Sequence, residues 1–283
     1  EYTLGKGLLM GRHVLGRAVA AVNGIRLFSR DTLSHHPCIL CLHGRWGRGE
    51  TWSDFIMRYR DRYRIIAPDQ RGHGLSDKPG SGYGAEDMAR DAYELLTQLR
   101  CTPAIVVGHS MGGRVAAYLA ALYPEAVKGV AILDEGFEAS NLTPTCDDAG
   151  DDGLTRDWPT PYSTIDEALR DLGGRFERPS SVRYFVESLT ETLDGYGFLF
   201  SRRAMAAIGR ANRDWRDILG RISCPVFVVR ASESRCLSRE GAREMCSLLK
   251  DGSFYEVSNS DHLVYADNPP EFYRGFDGFL RRF

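Results

Sequence analysis

One serine of this chain stands in a pattern that could make it a nucleophile. The apolar run Ala104 to Val107 leads into Gly108-His109-Ser110-Met111-Gly112, which good helix formers follow. A G-x-S-x-G pattern at a strand-to-helix turn puts the serine in a strained conformation that only small neighbours tolerate. The serine hydroxyl then projects above the sheet edge, and the Met111 amide at the helix start can donate to an oxyanion. The alternative interpretation is a plain glycine-rich turn, suited to a phosphate.

A serine hydroxyl at neutral pH also needs a general base. The candidates are the seven histidines of the chain: His13, His35, His36, His43, His73, His109 and His262. His262 follows the last strand-like run and precedes the final helix, so it falls at the carboxyl end of a strand, where open parallel sheets bind ligands. The chain order Ser, acid, His is also that of this type of elbow. We therefore predict that His262 is the base. His109 directly precedes Ser110 in the sequence, and we expect its side chain to point away from the serine.

The elements that position these residues alternate between strands and helices, which predicts an α/β fold with a mostly parallel sheet and helices on both faces. This alternation stops between residues 137 and 220, where helical patterns appear near 164–172, 181–193 and 202–219. We predict a core formed by 13–136 and 221–283, with 137–220 inserted as a helical cap.

Composition excludes several classes of protein. The formal net charge of −2 predicts neither nucleic acid nor an anionic membrane as a partner. No apolar run is long enough to span a membrane, and the first residues lack a signal-peptide pattern. The seven cysteines are odd in number and scattered, which favours a reducing, cytoplasmic location. Cys38 and Cys41 lie in a strand-like run, which predicts buried, inert thiols. We expect a monomer or a homodimer.

Four segments together resemble the α/β-hydrolase superfamily, over roughly 17–136 and 222–283. They are His43-Gly44 with Gly47, Asp69 to Ser76, Gly108 to Gly112, and Asp261-His262 followed by Asn268 to Glu271. The resemblance implies a Ser-His-acid hydrolase with an α/β-hydrolase fold and a site under the cap. It implies that the Arg45 amide is the second oxyanion donor beside Met111, and that His73 holds loops together.

The acid departs from the commonest pattern of that superfamily, which places it after the strand that follows the cap. Here that position holds Ser234, and a serine cannot stabilise an imidazolium as a carboxylate does. Two candidates remain: Glu233, one residue out of register, and Asp134, at the end of the strand before the cap. A minority of the superfamily carries its acid at that earlier strand end. We predict Asp134, with Glu233 as the alternative.

The cap is expected to select the substrate. We predict a small molecule that is apolar or aromatic, with a carboxylate paired by an arginine as the more specific hypothesis. The predicted substrate-binding residues are Trp46, Trp158, Tyr162, Arg183 and Tyr184. The alternative is that the cap aromatics only pack and the arginines are solvated. No H-E-x-x-H motif or paired Cys/His spacing is present, so neither a metal nor an organic cofactor is predicted.

Three functions are compatible with these residues. The first is a carboxylic-ester hydrolase or lactonase that works through an acyl-enzyme on Ser110. The second is a hydrolase of a C–C or C–N bond, such as an amide or enamine, with the same triad. The third is a non-hydrolytic ligand-binding protein, lyase or cyclase, against which the intact Ser110, His262 and acid candidate argue.

Overall fold

The computed structural model describes residues 3–5, 15–137 and 152–283. Within these residues one large sheet has the strand order β1-β2-β3-β5-β4-β6-β7-β10-β11, and β8 and β9 form a separate hairpin. The strands are β1 Thr3–Gly5, β2 Gly16–Val22, β3 Ile25–Asp31, β4 Cys38–Leu42, β5 Arg64–Pro68, β6 Ala104–His109, β7 Val127–Leu133, β8 Leu189–Thr192, β9 Gly195–Phe198, β10 Val226–Ala231 and β11 Gly252–Val257.

Helices follow most of the parallel strands and cover the sheet. They are α1 Ser53–Tyr59, α2 Ala85–Gln98, α3 Met111–Leu122, α4 Ile165–Arg175, α5 Pro179–Val186, α6 Arg202–Arg210, α7 Arg216–Leu219, α8 Arg239–Leu248, α9 Val264–Asp267 and α10 Pro269–Leu280. None of the helices in the described ranges is both long enough and apolar enough to cross a membrane.

The sheet confirms the predicted fold class. The strands β5, β4, β6, β7, β10 and β11 pair in parallel, while β1 to β3 add an antiparallel edge. β4 and β6 are buried along their whole length, which explains their continuous apolar sequence. Because parallel strands end at one edge, the loops after β4, β6, β7 and β10 meet at a single rim.

The segment between β7 and β10 contains α4 to α7 and the β8–β9 hairpin, and residues 138–151 at its start lie outside the described residues. The helix predicted near 181–193 is wrong in its second half, because α5 ends at Val186 and β8 begins at Leu189. The cause is local: Thr190 and Thr192 favour a strand, and Gly195, with φ of +124°, allows the tight turn.

Candidate active site

The backbone around Ser110 has the strained geometry of a nucleophile elbow. Ser110 lies between β6 and α3 with φ of +52° and ψ of −126°, a conformation that side-chain-bearing residues rarely adopt. Its amide donates to the Leu133 carbonyl over 2.9 Å, which ties the turn to the end of β7. A Cβ atom on Gly112 would lie 2.2 Å from the Leu42 carbonyl oxygen, so only glycine lets the turn approach β4 this closely.

His262 and Asp134 are hydrogen-bonded at the same rim. The Nδ1 atom of His262 lies 2.9 Å from Oδ2 of Asp134. The carboxylate is fully buried, whereas the His262 side chain keeps 34% of its surface exposed. A buried carboxylate on Nδ1 fixes the tautomer in which Nε2 is free to accept a proton. The pair therefore has the arrangement of a general base with its orienting acid.

Asp134 is held by the end of the neighbouring strand, β10. Its Oδ1 atom accepts from the Ala231 amide over 2.9 Å, and its Oδ2 atom accepts from the Ser234 hydroxyl over 2.8 Å. The Ser234 oxygen accepts from the amides of Cys236 and Leu237, so the hydroxyl proton is directed at the carboxylate. Sequence reasoning noted that Ser234 occupies the usual acid position but missed this supporting contact.

The structure places the alternative acid elsewhere. The Glu233 carboxylate lies 2.6 Å from a guanidinium nitrogen of Arg178, and the Glu233 side chain is 56% exposed. The residue that His262 contacts is therefore Asp134, while Glu233 forms an ion pair at the surface.

The surroundings of His262 favour its protonated form. Burial alone would lower the pKa of His262, but the neighbouring Cys236 and the Asp134 carboxylate outweigh burial and raise this pKa well above the ordinary imidazole value. His262 thus holds a proton more tightly than a free imidazole does. That property suits a residue that must take a proton from a nucleophile and return it to a leaving group.

His109 contacts both the backbone and the ring of His262, an arrangement that the sequence did not predict. Its Nε2 atom donates to the His262 carbonyl oxygen over 2.8 Å, and the two ring centroids lie 4.6 Å apart. Burial and the adjacent His262 lower the pKa of His109 well below the ordinary value, so His109 is neutral. The position next to Ser110 was the available signal, but sequence cannot give the direction of the ring.

The loop after β4, residues 43–48, is called the oxyanion loop after the donor that the sequence predicts at Arg45. His43 donates from Nδ1 to the Gly44 carbonyl over 2.8 Å, while its Nε2 atom accepts from the Gln70 amide over 2.9 Å. Burial lowers the pKa of His43 to about 4, so the ring is neutral and this hydrogen-bond pattern is fixed. Because the Gly44 carbonyl and the Arg45 amide share one planar peptide, His43 also sets the direction of the Arg45 N–H.

The Met111 amide, the other predicted donor, begins α3, where backbone amides have no partner within the helix. His73 packs edge-on against His43 with ring centroids 4.8 Å apart and is fully buried, so it lies within the loop scaffold. Within the described parts of the chain, neither His43 nor His73 hydrogen-bonds to Asp134.

The five predicted substrate-binding residues lie in different surroundings. Trp158 and Tyr162 are buried among aromatic side chains of the segment between β7 and β10, which is the predicted cap, and the Tyr162 hydroxyl donates to Asp171. Arg183 is more than half exposed and pairs with Asp54 and Glu187. Trp46 and Tyr184 lie at the oxyanion loop: the Trp46 indole donates to Asp152 over 2.9 Å, and the Tyr184 hydroxyl donates to the Arg45 carbonyl over 3.1 Å.

One set of potential metal ligands exists among the described residues. A carboxylate oxygen of Asp134, the Cys236 sulfur and a ring nitrogen of His262 all lie within 4.8 Å of one another. Two of these three side chains already form the acid–base pair through Nδ1. Binding a metal there would replace that hydrogen bond, so the arrangement fits proton transfer better than a resident ion.

The fold agrees with that of known proteins. The sequence model of the alpha/beta hydrolase family matches residues 39–274, and the chain belongs to that family. The 2-(acetamidomethylene)succinate hydrolase of Mesorhizobium japonicum is 31% identical over 256 residues, which cover 86% of this chain and 88% of that protein.

Solved structures give the same result. The crystal structure of E-2-(acetamidomethylene)succinate hydrolase superposes with a TM-score of 0.84 at 28% identity and covers 95% of this chain and 100% of that one. The enol-lactonase from Burkholderia xenovorans superposes with a TM-score of 0.70 at 20% identity, covering 93% of this chain and 99% of that one, and so shows the shared fold alone. Family and neighbours together support a hydrolase.

Proposed function

We propose that this protein is a serine hydrolase that forms an acyl-enzyme on Ser110. The observation that carries the proposal is the 2.9 Å hydrogen bond between His262 and the buried Asp134, at the rim where the strained turn presents Ser110. A histidine held in one tautomer by a buried carboxylate, at the same rim as a strained serine, supports nucleophilic catalysis by that serine.

In the proposed mechanism, Ser110 attacks a carbonyl carbon while His262 takes its proton at Nε2. Asp134 orients the imidazole and stabilises the imidazolium that forms. The amides of Arg45 and Met111 bind the negative oxygen of the tetrahedral intermediate. His262 then protonates the leaving group, and a water molecule activated by the same base hydrolyses the acyl-enzyme.

We further propose an amide-like C–N bond as the preferred target, with a carboxylic ester or lactone as the second candidate. The support is the similarity to the 2-(acetamidomethylene)succinate hydrolase, whose name describes an acetamido group on a dicarboxylate. The enol-lactonase is too distant to argue for substrate. A serine triad cleaves both bond types because His262 can protonate a nitrogen or an oxygen leaving group.

A substrate with a carboxylate would need a cation near the serine, and we propose the side chain of Arg45. Its guanidinium lies 4.0 Å from the centroid of the Trp46 ring, and Nη1 is 3.5 Å from the Met205 carbonyl of α6. It therefore reaches from the oxyanion loop to the cap. Arg183, the arginine predicted from sequence, lies on α5 with 55% of its side chain exposed.

The side chain of Arg45 can be tested separately from its backbone amide, because a substitution changes only the side chain. Arg45→Met keeps the oxyanion donor and removes the cation. We expect the KM for a carboxylate-bearing substrate to rise roughly tenfold, the scale of one charge-assisted hydrogen bond, with little change for neutral p-nitrophenyl acetate. Arg183→Met is the matched control and is expected to leave both KM values unchanged. An equal rise for both substrates with Arg45→Met would contradict the assignment.

The bond class is tested with three substrates and two proteins. Wild type and Ser110→Ala are first treated with a fluorophosphonate, which is expected to label only the wild type, at Ser110. Turnover of 2-(acetamidomethylene)succinate, p-nitrophenyl acetate and a small lactone is then compared, and the highest kcat/KM is expected on the amide. Absence of labelling in wild type would overturn the hydrolase proposal, whereas turnover of ester or lactone without the amide would establish the second candidate.

A further inference from the structure

The cap holds the oxyanion loop at three points. The Tyr184 hydroxyl donates to the Arg45 carbonyl over 3.1 Å, and the Ser188 hydroxyl donates to the Trp46 carbonyl over 2.8 Å. In the opposite direction, Nε of Arg48 donates to the Glu187 carbonyl over 2.5 Å. All three cap partners come from the C-terminal end of α5 and the residues that follow it.

Tyr184 is fitted closely to this loop. Its side chain is buried, and a Cβ atom on Gly47 would lie 2.2 Å from its hydroxyl oxygen, so glycine at this position makes room for the tyrosine. Burial raises the pKa of Tyr184 well above the ordinary phenol value, and the hydroxyl therefore stays protonated as a donor. Trp46, which follows Arg45 in the loop, has φ of +66°, a strained conformation that persists only when surrounding contacts hold it.

Two of the contacts around the loop, from His43 and from Tyr184, together hold the backbone amide of Arg45. The Arg45 N–H lies in the peptide plane that it shares with the Gly44 carbonyl, and that plane can turn only about the line that joins the Gly44 and Arg45 Cα atoms. His43 of the core fixes the plane before it, through the Gly44 carbonyl. Tyr184 of the cap fixes the plane after it, through the Arg45 carbonyl. His43 therefore sets the direction of the Arg45 N–H, and Tyr184 holds the Arg45 Cα atom in place, at one end of the axis about which the first plane turns.

We propose that Tyr184 is a positioning residue that completes the oxyanion hole from the cap, assisted by Ser188. The inference rests on the proposed function, since it assigns Tyr184 to the donor that the hydrolase mechanism requires. In sequence the same tyrosine is read as a substrate-binding residue. Its contact instead makes the cap part of the catalytic geometry, so that oxyanion stabilisation depends on the cap being seated on the loop.

Tyr184→Phe removes only the hydroxyl and is the test. We expect kcat to fall roughly tenfold with KM unchanged, well short of the ~10²–10³-fold loss that follows removal of an oxyanion donor. The affinity for a trifluoromethyl ketone, which binds as a tetrahedral oxyanion, is expected to weaken by the same factor as kcat. Ser188→Ala is expected to change both quantities in the same direction by a smaller factor.

Tyr93→Phe is the matched control, because Tyr93 is a partly buried tyrosine of α2 that stacks on Tyr123 with ring centroids 4.0 Å apart. It is expected to leave kcat, KM and ketone affinity unchanged. If Tyr184→Phe raises KM and leaves kcat and ketone affinity unchanged, the tyrosine binds substrate and the inference is overturned. If Tyr184→Phe lowers only the melting temperature, a purely structural role overturns it as well.

The same experiment separates this inference from the proposed function. Fluorophosphonate labelling of wild type at Ser110 is scored first and depends on the hydrolase proposal alone. If wild type is labelled and Tyr184→Phe matches it in kcat and ketone affinity, the hydrolase proposal stands and the cap inference fails. If wild type is not labelled, the proposed function itself fails.

Discussion

The neighbouring ends of β7 and β10 contribute different groups to the surroundings of His262. The strands are parallel partners, with Leu133 opposite Val229. The β7 end presents Asp134, which is fully buried, has φ of +50° and contacts His262. The β10 end presents Ser234, which donates to that carboxylate. One strand end supplies the charge and the other supplies a hydrogen-bond donor that orients it.

Electrostatic repulsion explains why positions 134 and 234 differ in residue type. A carboxylate at position 234 would lie beside Asp134, and two buried like charges at this distance would raise the pKa of one of them. A hydroxyl with its oxygen occupied by two backbone amides is neutral and can only donate to Asp134. Ser234 is therefore complementary to the buried carboxylate at the end of β7.

The largest effect is expected for Asp134→Asn. The amide would present the wrong hydrogen-bond pattern to Nδ1 of His262, and kcat is expected to fall by about four orders of magnitude, as it does for the corresponding change in a serine protease triad. Glu233→Gln is the matched control and is expected to keep the wild-type kcat, because Glu233 pairs with Arg178 at the surface. Steady-state kinetics of both variants measure the difference, and near wild-type turnover in Asp134→Asn would rule out Asp134 as the acid.

A smaller effect is expected for Ser234→Ala, which removes the donor on the β10 side. A hydrogen bond to a charged group contributes ~1.5–3 kcal/mol, so kcat is expected to fall roughly tenfold. Ser234→Thr keeps the hydroxyl and is expected to retain most of the activity. If the alanine and threonine variants have the same kcat, the hydroxyl does not orient Asp134 and the division between the two strand ends is incorrect.

The smallest change is a shift of the pH profile in Cys236→Ala. Cys236 raises the pKa of His262, and the base is active only when neutral, so kcat/KM of the wild type should rise with pH through a value above the ordinary imidazole pKa. Removing the sulfur takes away one cause of the raised pKa. The acidic limb of the profile is expected to move to lower pH, while the plateau changes little. A limb that stays in place or moves to higher pH would show that Cys236 has no such influence.

The fold could be predicted because its main features leave local patterns in the sequence. Buried strands such as β4 read as continuous apolar runs, and the turn at Ser110 has a residue pattern that few other structures need. Asp134 and His262 were predicted from their positions at strand ends, and the structure brings them together. Their catalytic roles remain predictions.

The contacts that sequence could not provide are those between distant segments. Nothing near Ser234 indicates that its hydroxyl would face Asp134, and nothing in α5 indicates that Tyr184 would reach the Arg45 carbonyl. Both contacts depend on how segments about 100 residues or more apart in sequence pack at the rim. The β8 strand was missed for a different reason: a short hairpin inside a helical region has too few residues for its period to appear.

The most direct test of the central claim is the rate at which a fluorophosphonate modifies Ser110, followed by intact-protein and peptide mass spectrometry. This reaction needs the serine activated by His262 and does not depend on knowing the substrate. The account predicts modification of the peptide that contains Ser110, at a rate that is greatly reduced in Asp134→Asn and unchanged in Glu233→Gln. Equal rates in wild type and Asp134→Asn, or a loss confined to Glu233→Gln, would contradict it.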